Sequence, residues 1–158
     1  MIRALKVLLT LLGCFIWSSV AAQEVLYLTQ SAPTELEAFS ATTSDANVEV
    51  TVSLTNTDDE NRIVGVAVGV VLIDAFDDVI AVQYARWTDD LSTLAPGESA
   101  ELTNSFVETR ADELFSSVPF IYAVRFEDGE VWKENLSDVA TELLGRFGVA
   151  VSSSTLQP

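Results

Sequence analysis

Histidine is absent from this chain, and cysteine occurs once, at Cys14. Without histidine there is no Ser-His-Asp triad. With a single cysteine there is neither a disulfide nor a Cys/His zinc centre. Positive charge is scarce as well: 8 Lys and Arg stand against 24 Asp and Glu, a formal net charge of −16. A chain this acidic does not hold nucleic acid or an anionic membrane through its overall charge. It suits cationic partners, divalent cations or solubility in salt water, and a solvated acidic surface is the plainest reading. Proline (4) and glycine (7) are few, so each one present is a positional signal. Hydrophobic residues are plentiful, 49% of 158, which is enough for one domain with a sizeable core.

Residues 1–22 read as a secretory leader. Arg3 and Lys6 form a charged start, Val7 to Trp17 is an apolar run too short to span a membrane, and Ser18-Ser19-Val20-Ala21-Ala22 supplies small residues for cleavage. Cleavage is expected after Ala22, with Ala21 as the alternative. It removes two positive charges and takes the net charge from −16 to −18. The mature chain is then exported, periplasmic or extracellular. Leu11-Leu12-Gly13-Cys14 offers a rival lipobox, with Cys14 as a lipid anchor. The very short apolar run before Cys14 and the apolar Phe15-Ile16-Trp17 after it argue for plain cleavage.

The stretch from Val48 to Asp74 organises the rest. Val48, Val50, Val52 and Leu54 alternate with Glu49, Thr51, Ser53 and Thr55, the period of a half-buried strand. A polar loop, Asn56 to Arg62, leads to a second run from Ile63 to Ile73. There Val64, Val66, Val68, Val70 and Leu72 share one face, and the small Gly65, Ala67 and Gly69 share the other. Small residues on one face of a strand predict close cover or a bulge. Two glycines among β-branched residues disfavour a helix. Further strands are expected at Val79–Trp87 and Ser99–Val107, with a type II corner at Pro96-Gly97. Val25 to Leu28 reads as a short strand, Leu36 to Thr42 as an edge strand, and Asp112 to Phe115 as a helical turn.

These residues resemble a known family. Asn56, Val64-x-Val66-x-Val68, Val70-Val71-Leu72-Ile73-Asp74, Val79-Ile80 and Leu94-Ala95-Pro96-Gly97-Glu98 are similar to the FxLYD-type and related Ig-like β-sandwich modules of bacterial exported proteins. The resemblance spans roughly Val48 to Val107. Val70 stands where that pattern has an aromatic residue, and Ile73 where it has tyrosine. The resemblance implies an extracytoplasmic sandwich with no catalytic role to carry over.

Phe120 to Phe126 and Val131 to Glu134 flank Glu127-Asp128-Gly129-Glu130, a hairpin signal. A two-residue loop would pair Arg125 with Trp132 and turn the indole outward. A three-residue loop with Gly129 left-handed would pair Val124 with Trp132 and bury it, because a one-residue slip flips every side chain. The second register is expected, since it puts Phe120, Tyr122, Val124 and Trp132 on one apolar face. The other reading of the aromatics is a sugar-binding platform of Trp132, Trp87 and Tyr84. Asn135-Leu136-Ser137 is a glycosylation sequon by pattern. A helix is expected from Leu136, with Ser137 as N-cap, Gly148 as stop, and Leu136, Val139, Ala140, Leu143, Leu144 and Phe147 on one stripe.

The expected fold is therefore all-β: an Ig-like antiparallel β-sandwich with a short C-terminal amphipathic helix. Its divisions are a leader at 1–22, an N-terminal segment with an edge strand at 23–46, the sandwich at 47–135, the helix at 136–148 and a disordered tail at 149–158. The leading functional expectation is a non-catalytic interaction or structural module, with neither nucleic acid nor a membrane span. Candidate sites are a calcium site at Asp74, Asp77 and Asp78, with ordinary turn chemistry as the competing account. A partner-docking stripe at Leu136, Val139, Leu143 and Phe147 competes with packing on the protein's own sheet. Acid pairs such as Asp89-Asp90 or Glu127 with Glu130 suit glycoside hydrolysis in principle, but a chain this rich in acids offers such pairs anywhere.

Overall fold

The computed structural model describes residue 28, residues 31–88 and 93–158, and the backbone of 24–25. The leader expected at 1–22, with Cys14, lies outside the described residues, as do Asp89 and Asp90. The strands are β1 (Glu24–Val25), β2 (Thr34–Ser44), β3 (Asn47–Asn56), β4 (Ile63–Ile73), β5 (Val79–Trp87), β6 (Ser99–Val107), β7 (Ser116–Phe126) and β8 (Val131–Lys133). A 3-10 turn covers Ala111–Glu113, and one helix, α1, spans Leu136–Phe147. No helix among the described residues is long and apolar enough to cross a membrane.

The strands form two sheets. One is three-stranded, in the order β2-β3-β6. The other runs β5-β4-β7, and the free side of β7 takes β1 near its start and β8 near its end. All pairings are antiparallel except β1 with β7. The two apolar runs of the organising stretch thus lie in different sheets, and the loop after Asn56 carries the chain between them. Asn56 is buried and fastens that passage. Its Nδ2 donates to the carbonyls of Asn61 (2.9 Å) and Leu94 (3.0 Å), and its Oδ1 accepts from the Asp58 N–H (3.0 Å). The Asn56 backbone meets the Pro96-Gly97 corner on both sides, through Glu98 and Gly97. Gly97 takes a positive φ of 74° there, as the corner requires.

Period-two alternation drives the main core. Phe39, Ala41, Val48, Val50, Val52, Leu54 and Leu102 face inward from the three-stranded sheet. Val66, Val68, Val70, Leu72, Ala85, Trp87, Ile121, Val124 and Phe126 meet them from the other. The segment before residue 47 belongs to this body, because β2 pairs with β3 along its whole length. The expected boundary at 46/47 therefore falls inside a hairpin.

The five-stranded sheet is buried on its outer face too. Val71, Ile73, Val118 and Phe120 pack there against Val139 and Leu143 of α1, and Val149 and Leu156 of the segment after it. Residues 149–158, expected to be disordered, instead fold back. Val149 and Leu156 are buried, and the Tyr84 hydroxyl donates to the Leu156 carbonyl. Burial of the Leu156 side chain contributes roughly 1.5–3 kcal/mol, and the buried Val149 and the hydrogen bonds among Ser152, Ser154 and Thr155 add to it. The helix N-cap is Asn135 rather than Ser137: its side chain accepts from the Ser137 N–H at 3.1 Å. Gly148 closes the helix at φ 73°, as a left-handed C-cap.

The β7–β8 hairpin takes the register with Val124 opposite Trp132, and Gly129 has φ 96°. The expected single apolar face does not form. Between Ala67↔Ala123 and Val68↔Ile121 the ladder skips Tyr122, so β7 carries a bulge there. Phe120 and Tyr122 consequently face α1, while Val124 and the half-buried Trp132 face the inter-sheet core. One extra residue reverses the alternation on either side of it.

Candidate functional site

The outer face of the five-stranded sheet divides in two. The half near the end of β4 lies under α1 and the tail. The half near its start, with Gly65 and Ala67, belongs to neither apolar cluster. A shallow trough of about 180 Å³ opens there, lined by Gly65, Val66, Ala67, Arg86, Thr88, Ala123, Arg125 and Val131. The strand registers explain its shape. Ala67 pairs with Arg86 on one side and Ala123 on the other, and Ala123 pairs in turn with Lys133. One row across four strands thus reads Arg86, Ala67, Ala123, Lys133. In the next row Gly65 pairs with Arg125, which pairs with Val131, and the Thr88 methyl lies 3.4 Å from where a Gly65 Cβ would stand. Small residues make the floor and long basic ones the walls.

The electrostatics of this trough differ from those elsewhere. Arg62 pairs with Glu127 (3.8 Å), Arg110 with Asp74 (3.7 Å) and with Glu113, and Arg146 with Glu142. Arg86, Arg125 and Lys133 form no ion pair among the described residues. All three side chains are exposed, and Val131 is 49% exposed beside them. Three exposed cations around an apolar floor are suited to an anion that carries apolar surface.

The border between the halves is aromatic. Phe120 lies over Gly69, where an added Cβ would stand 2.2 Å from its ring. Tyr84 meets Phe120 edge-on at 6.0 Å and Tyr122 at 5.1 Å. Burial raises the Tyr84 phenol to about 12, helped by the neighbouring Tyr122 and opposed by Arg86.

The candidates drawn from sequence fall elsewhere. Asp74 uses its carboxylate within its own turn: Oδ1 accepts from the N–H groups of Phe76 (2.8 Å) and Asp78 (3.0 Å), and Arg110 lies at 3.7 Å from Oδ2. Asp77 and Asp78 are exposed on the same turn, Asp77 at φ 65°. No group of three or more acidic side chains among the described residues is arranged to hold a metal ion. Asp58 likewise fastens its loop, accepting from Glu60 (3.0 Å) and Asn61 (2.6 Å), bonds that hold its carboxyl below the usual range. The supposed sugar platform is dispersed. Trp87 is buried between the sheets with its N–H on the Thr103 carbonyl (3.1 Å), Tyr84 lies under the tail, and Trp132 faces the inter-sheet core. Glu127 and Glu130 are exposed at the hairpin tip, and Glu127 is engaged by Arg62.

The helical stripe is not free for a partner. Val139 and Leu143 are buried on the protein's own sheet, and Leu136, Ala140 and Phe147 pack around them. Leu144 leaves the stripe and is 57% exposed, because it lies about 100° round the helix from Leu143. Asn135 of the sequon is occupied as the helix cap, its Nδ2 donating to Asp138 (2.9 Å).

Sequence reasoning missed Arg86, Arg125 and Lys133. The available signal is the row of small residues on β4, Gly65, Ala67 and Gly69, which leaves room for long side chains on the neighbouring strands.

A hypothetical protein of Peptoclostridium difficile is similar in structure, with a TM-score of 0.52 over 81% of this chain and 98% of that one, at 13% identity. That likeness concerns the fold alone. A Bordetella pertussis protein provisionally described as ApaA aligns over 65% of this chain and 88% of its own, at 20% identity and a TM-score of 0.35. No family model and no curated protein matches the chain.

Proposed function

We propose that this protein is an exported, non-catalytic interaction module of the Ig-like sandwich class, and that it binds its ligand in the trough on the outer face of its five-stranded sheet. The leader-like residues 1–22 support export. The observation that carries the binding assignment is the meeting of three cations that have no ion-pair partner among the described residues with a floor of Gly65, Ala67 and Ala123, in a chain with three times as many acids as bases. Exposed cations beside a floor of small residues and the half-exposed Val131 are poised to gain from an anionic, partly apolar ligand, since the contact neutralises charge and removes apolar area from water together.

An anionic apolar dye, anilinonaphthalene sulfonate, tests this assignment. The folded protein is expected to bind it saturably, and Ala67→Trp, which fills the floor, is expected to abolish binding while the protein stays folded. Absence of saturable binding, or binding indifferent to Ala67→Trp, overturns the proposal.

A further inference from the structure

We infer that the trough receives an acidic, extended peptide segment of a partner protein, with carboxylates about four residues apart that meet Arg86 and Lys133. The inference rests on the proposed function and adds the chemistry of the ligand. Arg86 and Lys133 close the two ends of one register row, with Ala67 and Ala123 between them. Three inter-strand steps separate them, about 14 Å at the usual strand spacing. That span exceeds a small dicarboxylate and matches four residues of extended chain, at about 3.3 Å each. Arg125 stands in the adjacent row beside Gly65 and Val131, so a central backbone carbonyl or a third acid falls within its reach.

The floor sets the middle of the ligand. Gly65, Ala67 and Ala123 present almost no side chain, which lets a peptide backbone come close, and Val131 offers apolar contact for one aliphatic side chain. The surroundings select against a broad anionic surface. Glu127, Asp128 and Glu130 form the exposed hairpin tip between Arg125 and Val131, and would be pressed against any flat membrane or nucleic acid laid over the trough. A narrow segment reaches the three bases without meeting those acids, and the acidity of the rest of the surface turns away anions that the trough does not accommodate.

The probe is the blocked peptide acetyl-Glu-Ala-Leu-Ala-Glu-amide, followed through the amide signals of the folded protein. Saturable shifts are expected at residues 65–67, 86–88, 123–125 and 131–133. They should weaken with added salt, vanish in Arg86→Gln/Lys133→Gln, and be absent for the peptide with lysine in place of both glutamates. No saturable shift up to millimolar peptide, or equal shifts from the lysine peptide, overturns the inference. Binding to phosphatidylglycerol vesicles that depends on Arg86 and Lys133, without peptide binding, replaces it with a lipid surface. If the dye binds and the peptide does not, this inference alone fails. If neither binds, the proposed function fails with it.

Discussion

The two halves of one sheet face have opposite fates. At the end of β4, Val71, Ile73, Val118 and Phe120 are bulky and apolar, and α1 with the folded-back tail covers them. At its start the same two strands, β4 and β7, present Gly65, Ala67 and Ala123, with Arg86, Arg125 and Lys133 around them. The strands and the face are shared, so side-chain volume and charge decide the difference. A helix gains by lying on bulk and gains little on glycine and alanine flanked by charge. The amphipathic stripe of α1 is therefore satisfied where apolar volume is available, and the remainder of the face is left for something else.

This contrast can be broken from the covered side. Leu143→Ala empties a fully buried site between α1 and the sheet and is expected to cost about 2–5 kcal/mol. Its neighbour Leu144→Ala, on the exposed side of α1, should stay within about 0.5 kcal/mol. Urea unfolding of both variants checks the pair, and equal losses would mean that α1 is not docked by this stripe.

The glycines sharpen the comparison at the border. Gly69→Ala sets a methyl into the Phe120 ring and should cost about 1–3 kcal/mol through overpacking. Gly65→Ala meets its nearest neighbours no closer than 3.4 Å, so it is expected to be far milder. Comparable losses at the two positions would show that the trough floor is packed as tightly as the covered half.

The smallest effect concerns pH. The folded phenol of Tyr84 is raised from 10.0 to about 12. A raised folded value makes its contribution to stability complete below pH 10.0, and that contribution is lost as pH rises through about 12. Tyr84→Phe should flatten this part of the stability profile. A profile unchanged by the substitution would show that the tail and α1 do not shield that ring.

Much of the fold was legible because it is written in alternation. The strands at Val79–Trp87 and Ser99–Val107 match β5 and β6, the second through Ala100, Leu102 and Phe106 at even spacing and the first as an apolar run bounded by turns. The hairpin register followed from Gly129 and from the cost of exposing Trp132. The rest depends on tertiary events with no local signature. The bulge at Tyr122 is a property of the β4–β7 pairing, not of the residues around it, and it moves Phe120 and Tyr122 to the face opposite Trp132. The tail reads as disordered because Leu156 is isolated in a polar segment, and only the fold brings Val149 and Leu156 to an apolar face and the Leu156 carbonyl to the Tyr84 hydroxyl. The trough was hidden for the same reason. Arg86, Arg125 and Lys133 lie on three separate strands and become neighbours only through the registers, whereas Asp74, Asp77 and Asp78 are conspicuous together in sequence and share one turn, which the Asp74 carboxylate fastens.

The most direct test of the bare half as a binding surface is a dye titration and a melt, run side by side on Arg86→Gln/Arg125→Gln/Lys133→Gln and the unaltered protein. The account predicts a stability change within about 0.5 kcal/mol per site, as for exposed positions. It predicts that dye affinity falls by at least tenfold, about 1.4 kcal/mol. A variant that binds the dye as before contradicts the account, because the cations would then play no part in what the trough holds.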